Sequence, residues 1–385
     1  MALQRNQSVI ILAAGYSRRM RPFKPLLILD GETVLQRVVS LYRSAGMADI
    51  RVVTGFRSQA IASELAGKPV CLVHNPAHDA GMFTSVLAGV RSLPADVGSF
   101  FVHPVDIPLV RPHTLAQVMN AFDRSLPPVA YALFDDRRGH PPLIHGQLRD
   151  DMLRHDGSCG LRGLLCRYDS AALEVQVADE GILMDLDTPE DFQRLSTRLA
   201  RSDRLTENEC RVLMEKVHRL PGKLIGHCLQ VACVAETLAE AVNGSGGAID
   251  ASLVRSAAQV HDVARLAHDH AAAGADLLNA MGFPAMAAIV ALHMDIPVSP
   301  DSRLDEAQIV HLADKLVSGT TVMSLAQRFE TKMKRYSHDA KVAAQISRRR
   351  SNAFRIQEKL EQASGSTIGQ ILKKAGITFI HSDDN

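Results

Sequence analysis

The most constraining feature of the chain is a regular alternation of short apolar runs with segments of helical periodicity, which continues to about residue 195. SVIIL comes first, TVLQRVVSLYRSAG follows it, and the series continues through IRVVTG, VCLVHN and SFFVHPVD. Strands that are apolar on both faces and separated by helices are typical of a mostly parallel sheet covered by helices on both sides. This half is therefore predicted to be a three-layer α/β domain.

The second half has a different pattern. After MDLDTPEDF the strand patterns stop, and long helical patterns continue with interruptions at GSGG and PVSPDS. A chain of 385 residues is long enough for two cores. We expect an α/β domain over residues 1–200, an all-α domain over 209–325 and a helical extension over 326–385. The basic stretches KMKR and SRRRS of this extension are interpreted as a solvated face.

Composition narrows the choice of partners and compartment. The formal net charge is +1, from 43 Lys and Arg against 42 Asp and Glu, so we expect neither nucleic acid nor an anionic membrane as a partner. The six cysteines form no CxxC pair, which indicates reduced thiols. Neither an N-terminal signal region nor an apolar run near 18 residues is visible. These features predict a cytoplasmic protein.

A glycine turn with basic neighbours follows the first predicted strand, in LAAGYSRRMRPFK. Ligands of parallel sheets bind at the carboxyl ends of the strands. The small residues of LAAG would let backbone N–H groups approach a ligand, while Arg18, Arg19 and Lys24 would supply positive charge to a polyphosphate. From the residues alone, a phosphate cradle and a purely structural turn both remain open.

The same stretch resembles the signature LAAGxSxRMGxxK of the molybdenum-cofactor nucleotidyltransferases, within the glycosyltransferase-A-like superfamily. HNPAHDAGMFTSVLAGV, FFVHPVDIPLV, GHPPLI and MDLDTPEDF are similar to further segments of that family. The resemblance implies magnesium-dependent transfer of a nucleotidyl group to a molybdopterin-type cofactor, which a molybdoenzyme would then receive. LAAG is similar to the branch that uses CTP rather than GTP or ATP. Arg21 departs from the pattern, because the family has glycine there.

The resemblance also implies roles for individual residues. Asp106, Lys24 and Arg19 would be catalytic, and Gly139, His140 and Pro141 would lie near the acceptor. The implied nucleotide-binding residues are Leu12, Ala13, Ala14, Gly15, Arg19, Lys24, Asn75, Ser85 and Asp106. Asn75 and Ser85 could equally be local backbone caps.

Carboxylates near the predicted site suit magnesium, which proteins usually hold through one or two carboxylates plus substrate phosphates. Asp106 closes a predicted strand at the ligand edge and is the first candidate. Asp185 and Asp187 are candidates for a second ligand, and we expect one of them rather than both to face the site. Asp187 and Thr188 could instead cap the helix that begins at PEDF.

The helical half contains a second group of metal-ligating residue types, and a single histidine there would more often be a packed core residue. Neutral imidazole and carboxylate together suit Mn, Fe, Zn or Mg, and packed helices are a common framework for such sites. We therefore interpret the group as a site for one or two divalent metals, with His268 and His311 as secondary candidates. Its members are His227, His261, Asp262, His270, His293 and Asp314.

The order of these residues resembles the HD superfamily of metal-dependent phosphohydrolases. HCLQVACVAETLAEA, VHDVARL and IVHLADKLVSG carry the resemblance. Arg265 replaces the lysine of the common HDxGK form, and Met294 stands where many members have a second histidine, so the substrate stays open.

Together the two halves predict a bifunctional enzyme, a nucleotidyltransferase joined to a phosphohydrolase-like domain. One alternative is transfer to another phosphorylated acceptor, such as a sugar phosphate. Another is that the HD-type half is a non-catalytic sensor or dimerisation module.

Overall fold

The computed structural model describes residues 6–17, 19–20, 22–299 and 302–380. The chain divides between Ser202 and Asp203 into two compact units, which we call the first and the second unit. The first unit has a mostly parallel sheet with helices, and the second is mainly helical. The predicted fold class is therefore confirmed.

Strands and helices alternate through the first unit. Its strands are β1 (Gln7–Leu12), β2 (Ile28–Leu29), β3 (Glu32–Thr33), β4 (Asp49–Thr54), β5 (Cys71–His74), β6 (Ser99–Pro104), β7 (Val129–Phe134), β8 (Arg137–Arg138), β9 (Leu143–His145) and β10 (Leu173–Gln176). Its helices are α1 (Val34–Ser44), α2 (Ser58–Glu64), α3 (Met82–Ser92), α4 (Pro112–Ser125), α5 (Arg149–Arg154), α6 (Gly160–Leu165) and α7 (Pro189–Leu199).

The main sheet has the strand order β10-β7-β9-β6-β1-β4-β5, with β8 paired to β7. The strand β1 pairs in parallel with both β4 and β6, whereas β9 is antiparallel to β6 and β7. The chain leaves β1 toward β4 on one side and returns to β6 on the other. This reversal of strand order creates a crevice at the carboxyl end of β1, where open α/β sheets bind ligands.

Both faces of this sheet are covered, as the continuous apolar strands predict. On one face Ile10 and Val102 pack in a core with Val86 and Val90 of α3. On the other face Tyr42 of α1 contacts Phe101 of β6, with ring centroids 5.7 Å apart. The sheet therefore holds its strand ends in fixed positions below the crevice.

The second unit consists mainly of packed helices. Its helices are α8 (Glu207–Val212), α9 (Gly222–Gly244), α10 (Ala251–Val260), α11 (His270–Ala280), α12 (Pro284–Leu292), α13 (Glu306–Leu316), α14 (Leu325–Arg335), α15 (Ala340–Ser364) and α16 (Ile368–Lys374). The short strands β11 (Val317–Ser318), β12 (Thr321–Met323) and β13 (Phe379–Ile380) form a small sheet, which sequence patterns did not predict.

The helix α9 is the centre of the second unit, where it packs against α10, α13, α15 and α16. One 18-residue window of α9 reaches a mean hydropathy of 1.2, enough by length and composition to cross a membrane. The window is not a continuous apolar run, because His227, Gln230 and Glu236 interrupt it. The packing of α9 is that of a core helix, because its buried side chains include Val231, Val234, Ala235 and Leu238.

Candidate active site and metal centre

The segment after β1 borders a small cavity at the carboxyl edge of the first unit's sheet, with a volume of about 170 Å³. The backbone N–H of Ala13 donates to the Val53 carbonyl at 2.9 Å, which fixes the turn to β4. A Cβ added at Gly15 would meet no atom within 4 Å, so the space beside the turn is open. The predicted nucleotide-binding residues that line this cavity are Leu12, Ala13, Ala14, Gly15, Lys24, Ser85 and Asp106.

Lys24 lies at the centre of the charged groups of this crevice. Its ammonium group is 2.6 Å from Asp187 Oδ1 and 3.5 Å from Asp106 Oδ2, and its side chain is only 10% exposed. Arg19 pairs with the other oxygen of Asp187, although its own side chain is largely exposed. The structure thus brings together the three predicted catalytic residues and two of the candidate magnesium ligands, Asp106 and Asp187. Arg18 and Arg21 lie outside the described residues.

The two carboxylates next to Lys24 differ in their protonation behaviour. Burial raises the pKa of Asp106, and the positive charge of Lys24 opposes this rise. The hydrogen bond from Lys24 lowers the pKa of Asp187. Both carboxylates lie beside the same cation, so a ligand that draws Lys24 away would change the charge that each one experiences.

Asp187 reaches the crevice because the segment before α7 is tied to the turn after β6. The backbone N–H of Leu186 donates to the Asp106 carbonyl at 2.8 Å, and the Leu186 side chain is buried. Residues two apart in an extended segment project to the same side. Backbone direction therefore does not choose between Asp185 and Asp187, and their side-chain contacts distinguish them instead. Asp187 makes the direct contacts, whereas Asp185 is exposed.

The capping alternative applies to Thr188 and not to the Asp187 side chain. Thr188 Oγ1 accepts a hydrogen bond from the Asp191 N–H at 3.2 Å, and the Asp191 carboxylate accepts one from the Thr188 N–H at 2.8 Å. This reciprocal pair is a capping box that starts α7 at Pro189. The Asp187 carboxylate is consequently left to pair with Lys24 and Arg19.

A buried pair that the sequence did not single out supports the turn carrying Asp106. His103 Nε2 is 2.9 Å from the Ile107 carbonyl, and His103 Nδ1 is 2.8 Å from the Tyr42 hydroxyl. Burial lowers the pKa of His103 to about 4, so its ring is neutral at neutral pH. These bonds connect α1 to the turn on both sides of Asp106.

Asn75 and Ser85 bond to each other. Asn75 Nδ2 donates to Ser85 Oγ at 3.0 Å and to Thr84 Oγ1 at 2.9 Å, and Asn75 Oδ1 accepts from the Ala77 N–H at 3.0 Å. These contacts hold the loop after β5 against the start of α3. They agree with the local capping role, and Ser85 also borders the nucleotide cavity.

A second and larger cavity, of about 650 Å³, adjoins the first, and the two share Leu12, Met82 and Pro104 in their lining. Of the residues predicted near the acceptor, Gly139 and His140 line it, whereas Pro141 does not. Arg138 and Arg162 make part of its wall basic, a feature that the sequence patterns had not assigned to the acceptor site. Arg138 is already paired with Asp169 at 2.6 Å and with Glu174 at 2.7 Å.

The second unit brings five of the six predicted metal ligands into two overlapping groups. His227, His261 and Asp262 form one group, and Asp262, His270 and His293 form the other. In each group the ligand atoms lie within 4.8 Å of one another. Asp262 belongs to both, and its Oδ1 is 3.2 Å from His270 Nε2 and 3.4 Å from His293 Nε2.

The sixth predicted ligand, Asp314, completes the first group from α13. Its Oδ1 is 3.3 Å from His227 Nε2 and 3.7 Å from His261 Nε2. Its Oδ2 accepts a hydrogen bond from the buried ammonium group of Lys315 at 2.5 Å. The Lys315 ammonium group also reaches the His293 carbonyl at 3.1 Å, which ties the two groups together.

Three of the histidines are oriented by backbone carbonyls. The Nδ1 atoms of His261 and His293 lie 2.7 and 2.6 Å from the Ala258 and Val290 carbonyls, and His227 Nδ1 is 3.0 Å from the Gly319 carbonyl. A proton on Nδ1 leaves the Nε2 lone pair facing the cluster, which is the usual arrangement of a metal-binding histidine. His261 and His293 directly follow α10 and α12, and each ring bonds a carbonyl of the preceding turn.

The chemistry of the donor set fits a divalent metal. His261 Nε2 is completely buried and has no hydrogen-bond partner among the described residues, an arrangement that is costly unless a ligand occupies the position. Burial lowers the pKa of His261 to about 4, which keeps the imidazole neutral as metal binding requires. Of the secondary candidates, His268 is exposed. His311 shares the pattern of His261, because its Nδ1 is 2.9 Å from the His293 carbonyl and its buried Nε2 has no hydrogen-bond partner among the described residues, but it belongs to neither group of ligand atoms.

A parallel sheet with a charged crevice at its switch point, together with a His/Asp cluster on helices, defines a nucleotide-binding α/β unit and an HD-type helical unit. Comparison with protein families agrees with both assignments. The chain carries a MobA-like NTP transferase domain at residues 9–172 and an HD domain at residues 224–319. Both resemblances predicted from the motifs are therefore confirmed.

Similar proteins cover only parts of the chain. The Escherichia coli molybdenum cofactor cytidylyltransferase is 27% identical over 186 residues, which are 48% of this chain and 92% of that protein. The bifunctional IPC transferase and DIPP synthase of Rubrobacter xylanophilus is 41% identical over 90 residues, but they span only 22% of this chain and 21% of that protein. A solved nucleotidyl transferase of Methanothermobacter thermautotroptrophicus is 26% identical, with a TM-score of 0.45, covering 51% of this chain and 98% of that one.

Proposed function

We propose that the first unit transfers a nucleotidyl group, most simply CMP from CTP, to the terminal phosphate of a molybdopterin-type cofactor. The observation that carries this proposal is the crevice in which Lys24 lies between Asp106 and Asp187 beside the LAAG turn. GTP and ATP are the alternative donors. The product would pass to a molybdoenzyme, and we expect the protein to act in the cytoplasm without nucleic acid or membrane.

In this reaction an acceptor phosphate oxygen bonds to the α-phosphorus of the nucleoside triphosphate, and the bond from that phosphorus to the bridging oxygen breaks, so that pyrophosphate leaves. Such a step depends on positioning and charge neutralisation more than on covalent help from the protein. The Lys24 ammonium group and the Arg19 guanidinium would bind phosphate oxygens. Gly139 and His140 would orient the acceptor in the larger cavity, with Arg138 and Arg162 as further basic contacts.

Asp106 would hold Mg²⁺, with Asp187 or Asp185 as its second carboxylate. When bound, the ion supplies charge neutralisation to phosphate oxygens. Lys24 now neutralises Asp187 and lies near Asp106, so it would turn from these carboxylates to the triphosphate when the ion and the nucleotide enter. The ion pairs described above therefore keep the crevice balanced before substrate binds.

For the second unit we propose a metal-dependent phosphohydrolase. His227, His261, Asp262 and Asp314 would hold one divalent ion, and His270 and His293 would extend the site to a second through Asp262. Mn, Fe, Zn and Mg are all compatible with these ligands. In hydrolysis a water oxygen bonds to phosphorus, the ester or anhydride bond breaks, and the leaving oxygen takes up a proton. The observation that carries this proposal is the buried His261 Nε2, which has no hydrogen-bond partner among the described residues.

A second acceptor class follows from a specific observation, the 41% identity over 90 residues to a protein named as an IPC transferase. Related transferases share the nucleotide site and differ in the acceptor. We therefore keep a sugar phosphate or another phosphorylated alcohol as the alternative acceptor. In that case the HD-type unit could act as a sensor or dimerisation module without turnover.

One assay decides between the acceptors. Purified full-length protein is given Mg²⁺ with CTP, GTP or ATP, each offered with molybdopterin cofactor or with a panel of sugar phosphates, and pyrophosphate release is measured. We expect release with CTP and the cofactor. Pyrophosphate release with a sugar phosphate but not with the cofactor would favour the alternative acceptor. No release with any combination of nucleotide and acceptor would contradict the transferase proposal.

A further inference from the structure

A cluster of basic side chains shares one cavity with the candidate metal ligands of the second unit. The cavity has a volume of about 270 Å³. His227, Asp262 and Asp314 line one side of it, and the rest of the lining includes five cationic residues: Arg265, Lys315, Arg328, Lys332 and Arg349. Anything that reaches the metal centre through this cavity must pass these cations.

Several of these cations have no strong anionic partner. Among the described residues, no carboxylate pairs with Arg328 or Lys332. Arg349 has only a 3.9 Å contact with Asp295, and Arg265 a 3.4 Å contact with Asp262. The Nε atoms of Arg328 and Arg349 are buried and lack a hydrogen-bond partner in the described part of the chain. Buried donors without acceptors are costly, and an anionic ligand in the cavity would supply acceptors to them.

The pKa values of two basic side chains on α14 also indicate that little negative charge lies near them. Burial, reinforced by the charge of Arg328, lowers the pKa of Lys332 to about 8. Burial also lowers the pKa of Arg328. On the outer side of the same helix, Lys334 pairs with Glu330 at 2.8 Å and is exposed. The inner face of the helix, with Lys332, therefore lines the cavity, whereas the outer face, with Lys334, is solvated as the sequence predicts.

The cavity contains more positive charge than one phosphate group would neutralise. With two divalent ions at the centre, the carboxylates of Asp262 and Asp314 would leave a net charge of about +2, which one phosphate group of about −2 would neutralise. Arg328 and Lys332, together with the weakly paired Arg265 and Arg349, would then remain to bind roughly one or two further phosphate groups. Arginine is well suited to bind such oxygens because of its forked donors.

We propose that this cavity selects a substrate with at least two linked phosphate groups, and that α14 and α15 are the elements that recognise the second phosphate. Arg328, Lys332 and Arg349 all belong to these two helices, which lie beyond the matched HD domain at residues 224–319. The proposal deepens the phosphohydrolase function of the second unit and rests on it. Free oligophosphate and an oligophosphate carried by a nucleoside share this chemistry.

The test is calorimetric titration of the full-length, Mn²⁺-loaded protein with orthophosphate, pyrophosphate and inorganic triphosphate. The variant Arg328→Ala with Lys332→Ala is compared with the parent and with Lys334→Ala, the control from the outer face of α14. Any binding of pyrophosphate to the first unit is the same in all three proteins. A difference in affinity between them therefore arises from the second unit. We expect the double variant to lose about tenfold or more in pyrophosphate affinity with unchanged metal content. Lys334→Ala should match the parent.

Equal pyrophosphate affinity in the double variant and the parent would overturn the proposal. So would an equal loss in Lys334→Ala, which would show a general charge effect, or a parent that binds orthophosphate as tightly as pyrophosphate. If the double variant fails to fold, Arg349→Gln on α15 gives the same comparison. A nucleoside triphosphate that loses more affinity than inorganic triphosphate would assign the source to nucleotides, and equal losses would assign it to free oligophosphate. Metal content, measured in parallel, separates failure of this proposal from failure of the phosphohydrolase function itself.

Discussion

The two candidate sites satisfy their polar groups in opposite ways. In the first unit the charged side chains pair with one another, because Lys24 lies between Asp106 and Asp187 and Arg19 covers the remaining oxygen of Asp187. In the second unit His261 Nε2 is buried with no partner among the described residues. The charges of the first site thus balance one another, whereas the second contains a buried nitrogen that a bound metal ion would satisfy.

This difference has an energetic consequence. A balanced site can remain folded with or without its ligand, and its cations can exchange a carboxylate for a phosphate at little net cost. A buried polar atom without a partner costs roughly 1–3 kcal/mol, which ligand binding would recover. We therefore expect metal to stabilise the second unit, and expect nucleotide to change the first unit's stability less. The following predictions test this contrast.

The largest effect is expected for Asp262→Ala. Because Asp262 belongs to both groups of ligands, its removal should reduce the metal content from about two ions to none and abolish hydrolysis. Elemental analysis of the metal-reconstituted protein measures the content. His270→Ala with His293→Ala should retain one ion, and the exposed neighbour His268→Ala should keep both. A full metal complement in Asp262→Ala would contradict the shared-ligand assignment.

Asp106→Asn should lower nucleotidyl transfer by about a thousandfold, since it removes a carboxylate that would hold Mg²⁺ while it preserves the volume of the side chain. Pyrophosphate release at saturating nucleotide measures the effect. The exposed Asp96→Asn serves as the matched control and should be as active as the parent. Activity of Asp106→Asn within threefold of the parent would refute the role of Asp106.

His103 should make the first unit acid-sensitive. Its pKa is lowered from 6.5 to about 4 by burial, with His140 as a nearby titratable group and Tyr42 as its hydrogen-bond partner. Between these values the unfolded chain binds a proton that the folded chain does not, so stability is complete above pH 6.5 and falls as the pH falls toward 4. The loss from this group should be about 2 kcal/mol at pH 5.

Urea titrations followed by tyrosine fluorescence measure this loss, because four of the five tyrosines are in the first unit. His103→Gln cannot titrate and should show a weaker pH dependence. The exposed His74→Gln should behave like the parent. An unchanged pH slope in His103→Gln would assign the acid sensitivity to other groups.

The smallest effect is expected for Lys24→Ala. If its charge acts equally on bound nucleotide and transition state, KM for the nucleotide should rise about tenfold with little change in kcat. Lys68→Ala, at a half-buried position outside the lining of the cavity, is the control. A fall in kcat without a rise in KM would show instead that Lys24 acts only in the transition state.

The sequence predicted the larger architecture because hydrophobic periodicity is a local signal. SVIIL and SFFVHPVD read as buried parallel strands, and they are neighbours in the sheet as β1 and β6. The grouping of the His and Asp side chains in the second unit was also predictable, since these residue types at characteristic separations resemble a known motif. The features that the sequence did not predict depend on contacts between residues far apart in the chain. The bond between His103 and Tyr42 joins residues 61 positions apart, and no periodicity indicates it.

The basic cavity was missed for a related reason. Arg328 and Lys332 lie one helical turn apart on α14, in a segment rich in lysine and arginine, which is most often a solvated surface. Only the packing of α14 and α15 beside Asp314 shows that one side of this helix faces inward. The sequence shows that such a helix is basic, but it does not show which side of the helix faces the protein interior.

The carbonyl bonds of His261 and His293 are local, so they do not depend on the distant parts of the cluster. Each ring is held by a carbonyl only three residues earlier in the chain, at the end of its own helix. The correct tautomer can therefore be selected as soon as α10 and α12 form, before the distant ligands His227 and Asp314 arrive. An ion that meets the folding chain would find donors already deprotonated at the coordinating atom, so assembly of the centre would release few protons from these two rings.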